Sequence, residues 1–127
     1  MGPVTSPDLR IYFVWQPVLG GDTYADAVEH ATAETDPRAS HFWDDGVLLG
    51  QAYATAYATG AAGEKWDSPL GDRPVAWDAA FLFPRGATWG DVPPRPPYFM
   101  FPEPMLDMPA FDAKVFGEHV VAALAKP

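Results

Sequence analysis

The chain has 127 residues, of which 48% are apolar, 14% are aromatic and none is cysteine, and its formal net charge at pH 7 is −9. This length and aromatic content predict one folded domain, because domains usually run to about 100–150 residues and disordered chains lack aromatic surface. The absence of cysteine excludes disulfides, thiolate zinc sites and thiol redox catalysis. The acidic charge argues against partners such as nucleic acids and anionic membranes, which attract Lys and Arg. No cofactor is predicted.

The hydropathy of the chain bears on its compartment. No stretch approaches the roughly 20 apolar residues that span a bilayer, and the N-terminus lacks the basic and apolar regions of a signal peptide. We therefore expect a cytoplasmic protein, unless a signal peptide has already been removed. The single domain is expected to fill residues 1–127, with residues 1–8 as a flexible N-terminus.

The first half of the chain predicts two strands and two helices. Residues 9–15 are rich in β-branched and aromatic side chains, which is typical of a strand buried on both faces. Asp22 is suited to cap a following helix that ends before Pro37, because proline restricts the residue that precedes it. A short apolar strand is predicted at 39–43 and a second helix at about 47–59. The stripe that the first helix should bury comprises Tyr24, Ala27, Val28 and Ala31.

The second half predicts two more strands and a final helix. The longest strand candidate is 75–83. Eight of the fifteen prolines lie within 84–109, which excludes a long helix there and leaves 98–101 as a strand near a sheet edge. Residues 110–125 place apolar side chains at helical spacing and predict a C-terminal helix with Asp112 in its first turn.

The predicted element order is therefore β-α-β-α-β-β-α. A strand, helix, strand start implies right-handed parallel pairing, and the terminal β-β-α unit adds antiparallel strands. Together they predict a single α/β domain with the thioredoxin fold, which has three layers with a central mixed four-stranded sheet. A ferredoxin-like split βαβ fold is the main alternative, although its order of β-α-β-β-α-β requires one helix to be misassigned.

Several short motifs also follow one another in an order found in one group of proteins. They are Trp15-Gln16-Pro17-Val18-Leu19 with Asp22, Asp36-Pro37-Arg38, Phe42-Trp43-Asp44, Trp77-Asp78, Phe83-Pro84 and Trp89. In this pattern, residues 9–90 resemble small, largely uncharacterised bacterial thioredoxin-like proteins. The resemblance implies the thioredoxin fold and places Pro96 or Pro97 where a cis proline stands opposite the first loop. Some members of the group carry a cysteine pair that residues 64–67 lack here.

Aromatic residues at the predicted strand ends indicate a binding crevice. In an open α/β sheet, the loops at the carboxyl ends of the strands form such a crevice, and aromatic walls bind sugars, peptides and apolar rings. The leading hypothesis is a binding or interaction module for a protein or a small molecule, and not an enzyme. The expected binding residues are Trp15, Gln16, Pro17, Trp43, Trp89 and Pro96.

A second hypothesis is an enzyme that uses His41, Asp44 and Asp22. Imidazole and carboxylates at a strand end can bind a divalent metal, with His41 and Asp44 as ligands, or form a general base. The competing interpretation is that both aspartates cap helices. His30 and His119 are expected outside the site. The common phosphate-loop, nucleophile-elbow and zinc-protease motifs do not occur in the sequence. A structural homodimer that buries the aromatic loops is the third hypothesis.

Overall fold

The computed structural model describes residues 4–58, 75–100 and 112–126. The elements are β1 (Ile11–Trp15), α1 (Tyr24–Ala33), β2 (Ala39–Trp43), α2 (Leu48–Ala58), β3 (Ala80–Leu82), β4 (Tyr98–Met100) and α3 (Ala113–Leu124). The predicted element order and the α/β class are thereby confirmed. The expected end of the second helix at 59, the end of the fourth strand at 101, the start of the last helix at 110 and the segment 64–67 lie outside the described residues. No helix in the described ranges is long and apolar enough to cross a membrane.

β1 and β2 form a parallel pair, and α1 supplies the crossover that parallel strands require. The register places Phe13 opposite His41 and Trp15 opposite Trp43. The prediction that this first strand is buried on both faces is wrong, because Tyr12 is 65% exposed. Side chains alternate along a strand, and α1 packs on the face that carries Trp15. The opposite face, which carries Tyr12, is therefore left open to solvent.

β3 and β4 pair antiparallel in a second sheet. The described strands thus lie in two two-stranded sheets and not in the single four-stranded sheet that the sequence predicts. The long strand expected at 75–83 is also wrong, since only Ala80–Leu82 is extended and paired. Asp78 has a φ of 49°, which turns the chain out of the extended conformation. Ala76 bonds to α2 instead of a strand, and donates its N–H to the Gly50 carbonyl at 2.9 Å.

α2 and the residue before it, Val47, contribute to two clusters of buried apolar side chains in the described ranges. The first comprises Tyr53, Ala54 and Ala76, surrounded by the partly buried Leu49, Ala79, Phe81, Phe83 and Phe99. The second comprises Val18, Val47 and Val75, with Trp77 packed against it. α2 therefore packs on β3 and β4 through the first cluster, and Val47, just before α2, packs on the loop after β1 through the second. α3 contacts β4, where His119 stacks on Tyr98 with ring centroids 3.4 Å apart.

The helix caps differ from the prediction by one residue. Thr23 caps α1 and accepts the N–H of Asp26 at 3.2 Å, whereas Asp22 accepts the N–H of Leu19 at 2.7 Å. Asp22 therefore closes the loop after β1, and its predicted capping role is wrong. The prediction that Asp112 lies in the first turn of the last helix is wrong, because Asp112 is extended and caps α3 by accepting two N–H groups of its first turn at 2.9 and 3.0 Å.

α1 buries less of its surface than its spacing predicts. Ala27 is buried, but Tyr24 and Val28 are 62% and 44% exposed. The reason is that α1 covers a sheet of two strands, which is narrower than the four-stranded sheet expected. A helix on so narrow a sheet contacts it through a few residues near one line of its surface.

Arg38 ties the N-terminal segment to the turn before β2. Its guanidinium donates to both Asp36 carboxylate oxygens at 2.9 and 2.6 Å, and to the carbonyls of Val4 and Ser6 at 2.7 and 3.2 Å. The described part of the expected flexible N-terminus is thus held by hydrogen bonds. The side-chain and backbone hydrogen bonds from Arg38 lower the pKa of the Asp36 carboxyl to about 2.

Candidate functional site

Four aromatic or imidazole rings gather on the face of the β1–β2 sheet that α1 covers. Phe13 and His41 are cross-strand partners, Trp15 follows Phe13 on the same strand face, and His30 comes from α1. These rings border an open cleft of about 250 Å³. The cleft is called the ring cleft below, and its lining comprises Phe13, Trp15, His30, Ala33, Glu34 and His41.

The four rings are nearly parallel. The Trp15 plane lies 14° from that of His30 and 8° from that of His41, with centroids 5.5 and 6.2 Å apart. Phe13 stacks on His41 at 4.8 Å and 8°. Offset parallel stacking is one of the preferred arrangements of aromatic pairs. The contacts between the rings therefore fix their orientations, and the walls of the cleft are already formed in the free protein.

A hydrogen bond between two wall residues sets the chemistry of His41. The Trp15 indole Nε1 donates to His41 Nδ1 at 3.2 Å. Because an indole N–H only donates, Nδ1 must be unprotonated, and the neutral ring then carries its hydrogen on Nε2. In this hydrogen bond, the lone pair of His41 Nδ1 is engaged by Trp15.

Glu34 is the acidic residue in the lining of the ring cleft. It follows the last residue of α1, and its N–H bonds to the His30 carbonyl at 3.2 Å. Its Oε1 accepts the N–H of Asp36 at 2.7 Å, which holds the side chain against the turn that leads to β2. The lining of the ring cleft contains this acid and no Lys or Arg. The formal charge of this lining is therefore negative when both imidazoles are neutral.

The three residues of the hypothetical enzyme site are not brought together. Asp44 accepts two N–H groups at the start of α2, at 3.0 and 2.7 Å. The Asp22 carboxylate is bonded to the loop after β1, and His41 is bonded to Trp15. In the parts of the chain that the structure describes, no group of three or more His, Asp or Glu is placed to hold a metal ion.

The residues of the predicted binding crevice have different roles in the structure. Trp15 lines the ring cleft. Trp43 instead packs edge-on against Tyr24 at the start of α1, and the centroids of these two rings are 5.8 Å apart. Gln16 joins three segments of the chain. Its amide accepts the Gly50 N–H at 2.9 Å and donates to the Ala76 carbonyl at 3.3 Å. Gln16 therefore serves the packing of the domain.

The remaining predicted binding residues do not line the ring cleft. Pro17 is partly buried, and Pro96 is buried just before β4. Trp89 is 49% exposed and meets Tyr53 edge-on at 5.5 Å. Its ring therefore lies against α2, away from the α1 face of the β1–β2 sheet.

Sequence reasoning missed Phe13, His30 and Glu34, and placed His30 outside the site. The signal was present in the spacing. Ala27 and His30 are spaced i, i+3, so His30 lies on the helix face that contains buried Ala27, and Glu34 follows directly after the helix. Phe13 is two residues from Trp15, so the two share a strand face.

Comparisons with known proteins found no match to this chain. No protein-family model matches the sequence, and neither a search of the curated proteins nor one of the solved structures found a match. The resemblance to bacterial thioredoxin-like proteins therefore stays a prediction, and the candidate site is defined by its own geometry.

Proposed function

We propose that this chain is a cysteine-free, thioredoxin-like binding module whose ligand surface is the ring cleft. The observation that carries the proposal is the set of four near-parallel rings around an open cleft. Flat, preformed aromatic walls bind planar or apolar groups without a large cost in ordering side chains. The function is therefore recognition of a ligand and not turnover.

The thioredoxin-like part of the proposal is supported by the element order and by the two strand pairings. A parallel β1–β2 pair joined by a helix, followed by an antiparallel β3–β4 pair and a final helix, matches that fold in sequence order. With no cysteine in the chain, thiol exchange is excluded. Binding is the activity that such a scaffold retains.

The ring cleft is preferred to the crevice expected at the strand ends because of what the residues there already do. Gln16 uses both ends of its amide in hydrogen bonds, and Pro96 is buried. Neither is available to a ligand. In contrast, His30 lies on an exposed part of α1, with its ring face against Trp15.

General-base or metal catalysis has less support. Both oxygens of the Asp44 carboxylate accept backbone N–H groups of α2, and these bonds would have to break before the carboxylate served a substrate. His41 in its bonded tautomer lacks a free lone pair. The binding proposal needs none of these rearrangements.

The test is a screen of single-ring compounds by ligand-observed NMR, followed by Trp15→Leu. We expect this variant to weaken binding about two- to tenfold, since a ring pair contributes roughly 0.5–1.5 kcal/mol beyond its buried area. His30→Ala, a change on an exposed helix position, is the second variant and should weaken binding without loss of helical content by circular dichroism.

Trp89→Leu is the matched control, because Trp89 is a half-exposed tryptophan outside the ring cleft. It should leave the affinity unchanged. Binding that survives both Trp15→Leu and His30→Ala, or that is lost in Trp89→Leu alone, would show that the ligand surface lies elsewhere.

A further inference from the structure

The chemistry of the ring cleft narrows the kind of ligand that it can hold. Its volume of about 250 Å³ is below the roughly 300–1,000 Å³ of sites for drug-sized molecules. One ring with a small substituent is therefore the natural size. The parallel walls of Phe13, Trp15 and the imidazoles favour a flat group that continues the stack.

The charge of the cleft selects among flat ligands. The faces of Phe13 and Trp15 are electron-rich and attract cations. Glu34 adds a carboxylate that is already fixed by its bond to the Asp36 N–H, and a carboxylate accepts further hydrogen bonds beyond that one. The whole chain carries a net charge of −9, which repels anions.

The state of His41 fits the same selection. Its Nδ1 accepts a hydrogen bond from Trp15, so that nitrogen offers no N–H to an anionic ligand. The other groups that face it are Phe13 on the neighbouring strand and, across the cleft, His30 and Glu34 from α1 and its end. The carboxylate is the charged group in this lining when the imidazoles are neutral.

We infer that the ring cleft binds a small planar ring bearing a positively charged donor group, such as an amidinium, with Glu34 as its counter-ion. This rests on the proposed function and adds the class of ligand. The flat ring lies in the cleft beside the stacked rings, and its charged edge donates hydrogen bonds to the Glu34 carboxylate.

The experiment compares benzamidine, benzamide and benzoate, which share one ring and nearly one size but are cationic, neutral and anionic. Binding is followed by the Trp15 indole N–H resonance of the full chain at about pH 8 and low salt, where histidine is ordinarily neutral. We expect benzamidine to bind about two- to fivefold more tightly than benzamide, and benzoate most weakly. Glu34→Gln should reduce the affinity for benzamidine to that for benzamide.

Glu29→Gln is the control, because Glu29 is an exposed α1 carboxylate that does not line the cleft. It removes the same charge and should preserve the preference for benzamidine. If the three compounds bind equally, if benzoate binds best, or if Glu34→Gln keeps the preference, the inference about ligand charge is overturned while the binding cleft stands. If none of the rings shifts the Trp15 resonance and the screen of neutral rings also fails, the proposed function falls with it.

Discussion

Gly50 lies inside α2, where glycine ordinarily weakens a helix by about 1 kcal/mol relative to alanine. Its position is explained by what surrounds it. A Cβ at this position would lie 2.8 Å from the Ala76 carbonyl oxygen and 2.8 Å from Val75 Cγ1, and would also meet the Gln16 amide oxygen. Only a residue without a side chain lets α2 approach the segment before β3 this closely.

We therefore predict that Gly50→Ala destabilises the protein by about 1–3 kcal/mol, because overpacking a well-filled site outweighs the gain in helix propensity. Equilibrium unfolding in urea measures the change. Gly90→Ala is the matched control, since nothing lies within 4 Å of a Cβ built there, and it should change the stability by less than about 0.5 kcal/mol. Equal stabilities of the two variants would contradict the crowding at Gly50.

α2 depends on a carboxylate that lies before its first turn. Asp44 accepts two N–H groups there, and its carbonyl accepts the N–H of Val47. Val47 itself has a φ of 55°, a strained value for a β-branched residue, and is held by its burial against Val18 and Val75. The start of α2 is thus fixed by a cap and by packing together.

We predict that Asp44→Ala destabilises the protein by about 1–2 kcal/mol, because it leaves two helix N–H groups without their acceptor. Asp44→Asn should cost less, since the amide keeps one oxygen. Asp45→Ala is the control, because exposed Asp45 accepts a longer bond of 3.3 Å from the Trp43 indole. Thermal unfolding measures the stability of each variant. If Asp45→Ala lowered the stability as much as Asp44→Ala, the Asp44 carboxylate would not be the cap that stabilises α2.

The elements themselves were predictable because their signals are local. The aromatic and β-branched run at β1, the proline after α1 and the spacing in α3 each depend on residues a few positions apart. β3 is the exception. The run 75–83 has strand composition throughout, but its first residues bond to Gly50 and Gln16, and a distant contact of this kind overrides local preference.

The Arg38 and Asp36 pair links the N-terminal segment to the rest of the molecule, and its effect depends on pH. The pKa of Asp36 falls from 3.8 to about 2 in the folded protein, so the unfolded chain binds the proton more readily. The stabilisation is complete above about pH 4 and is lost as the pH falls through 2. Both side chains are partly exposed, so salt weakens the effect.

We predict that the difference in urea midpoint between the natural chain and Asp36→Asn is largest above pH 4 and shrinks towards pH 2. Asp8→Asn is the control, because the bridge from Asp8 to Arg85 is exposed on both sides and is expected to contribute little. A difference that stays constant from pH 5 to pH 2 would show that the ionised Asp36 carboxylate does not stabilise the fold.

The candidate site was predictable only in part. Trp15 and His41 were expected in a site because aromatic and imidazole groups at strand ends are chemically informative, and both line the ring cleft. That His30 and Glu34 join them depends on where α1 crosses the sheet. Local spacing gives the face of the helix but not the sheet residue that the face meets.

The sequence by itself determined the order of the elements, the α/β class and the absence of thiol chemistry, because composition and short periodic patterns specify these. The tertiary structure alone decided which polar groups are free. The Gln16 amide donates to the carbonyl of Ala76, sixty residues away, and the Asp44 carboxylate accepts N–H groups of the helix that follows it. A side chain's partner depends on the path of the whole backbone, and so does its availability to a ligand.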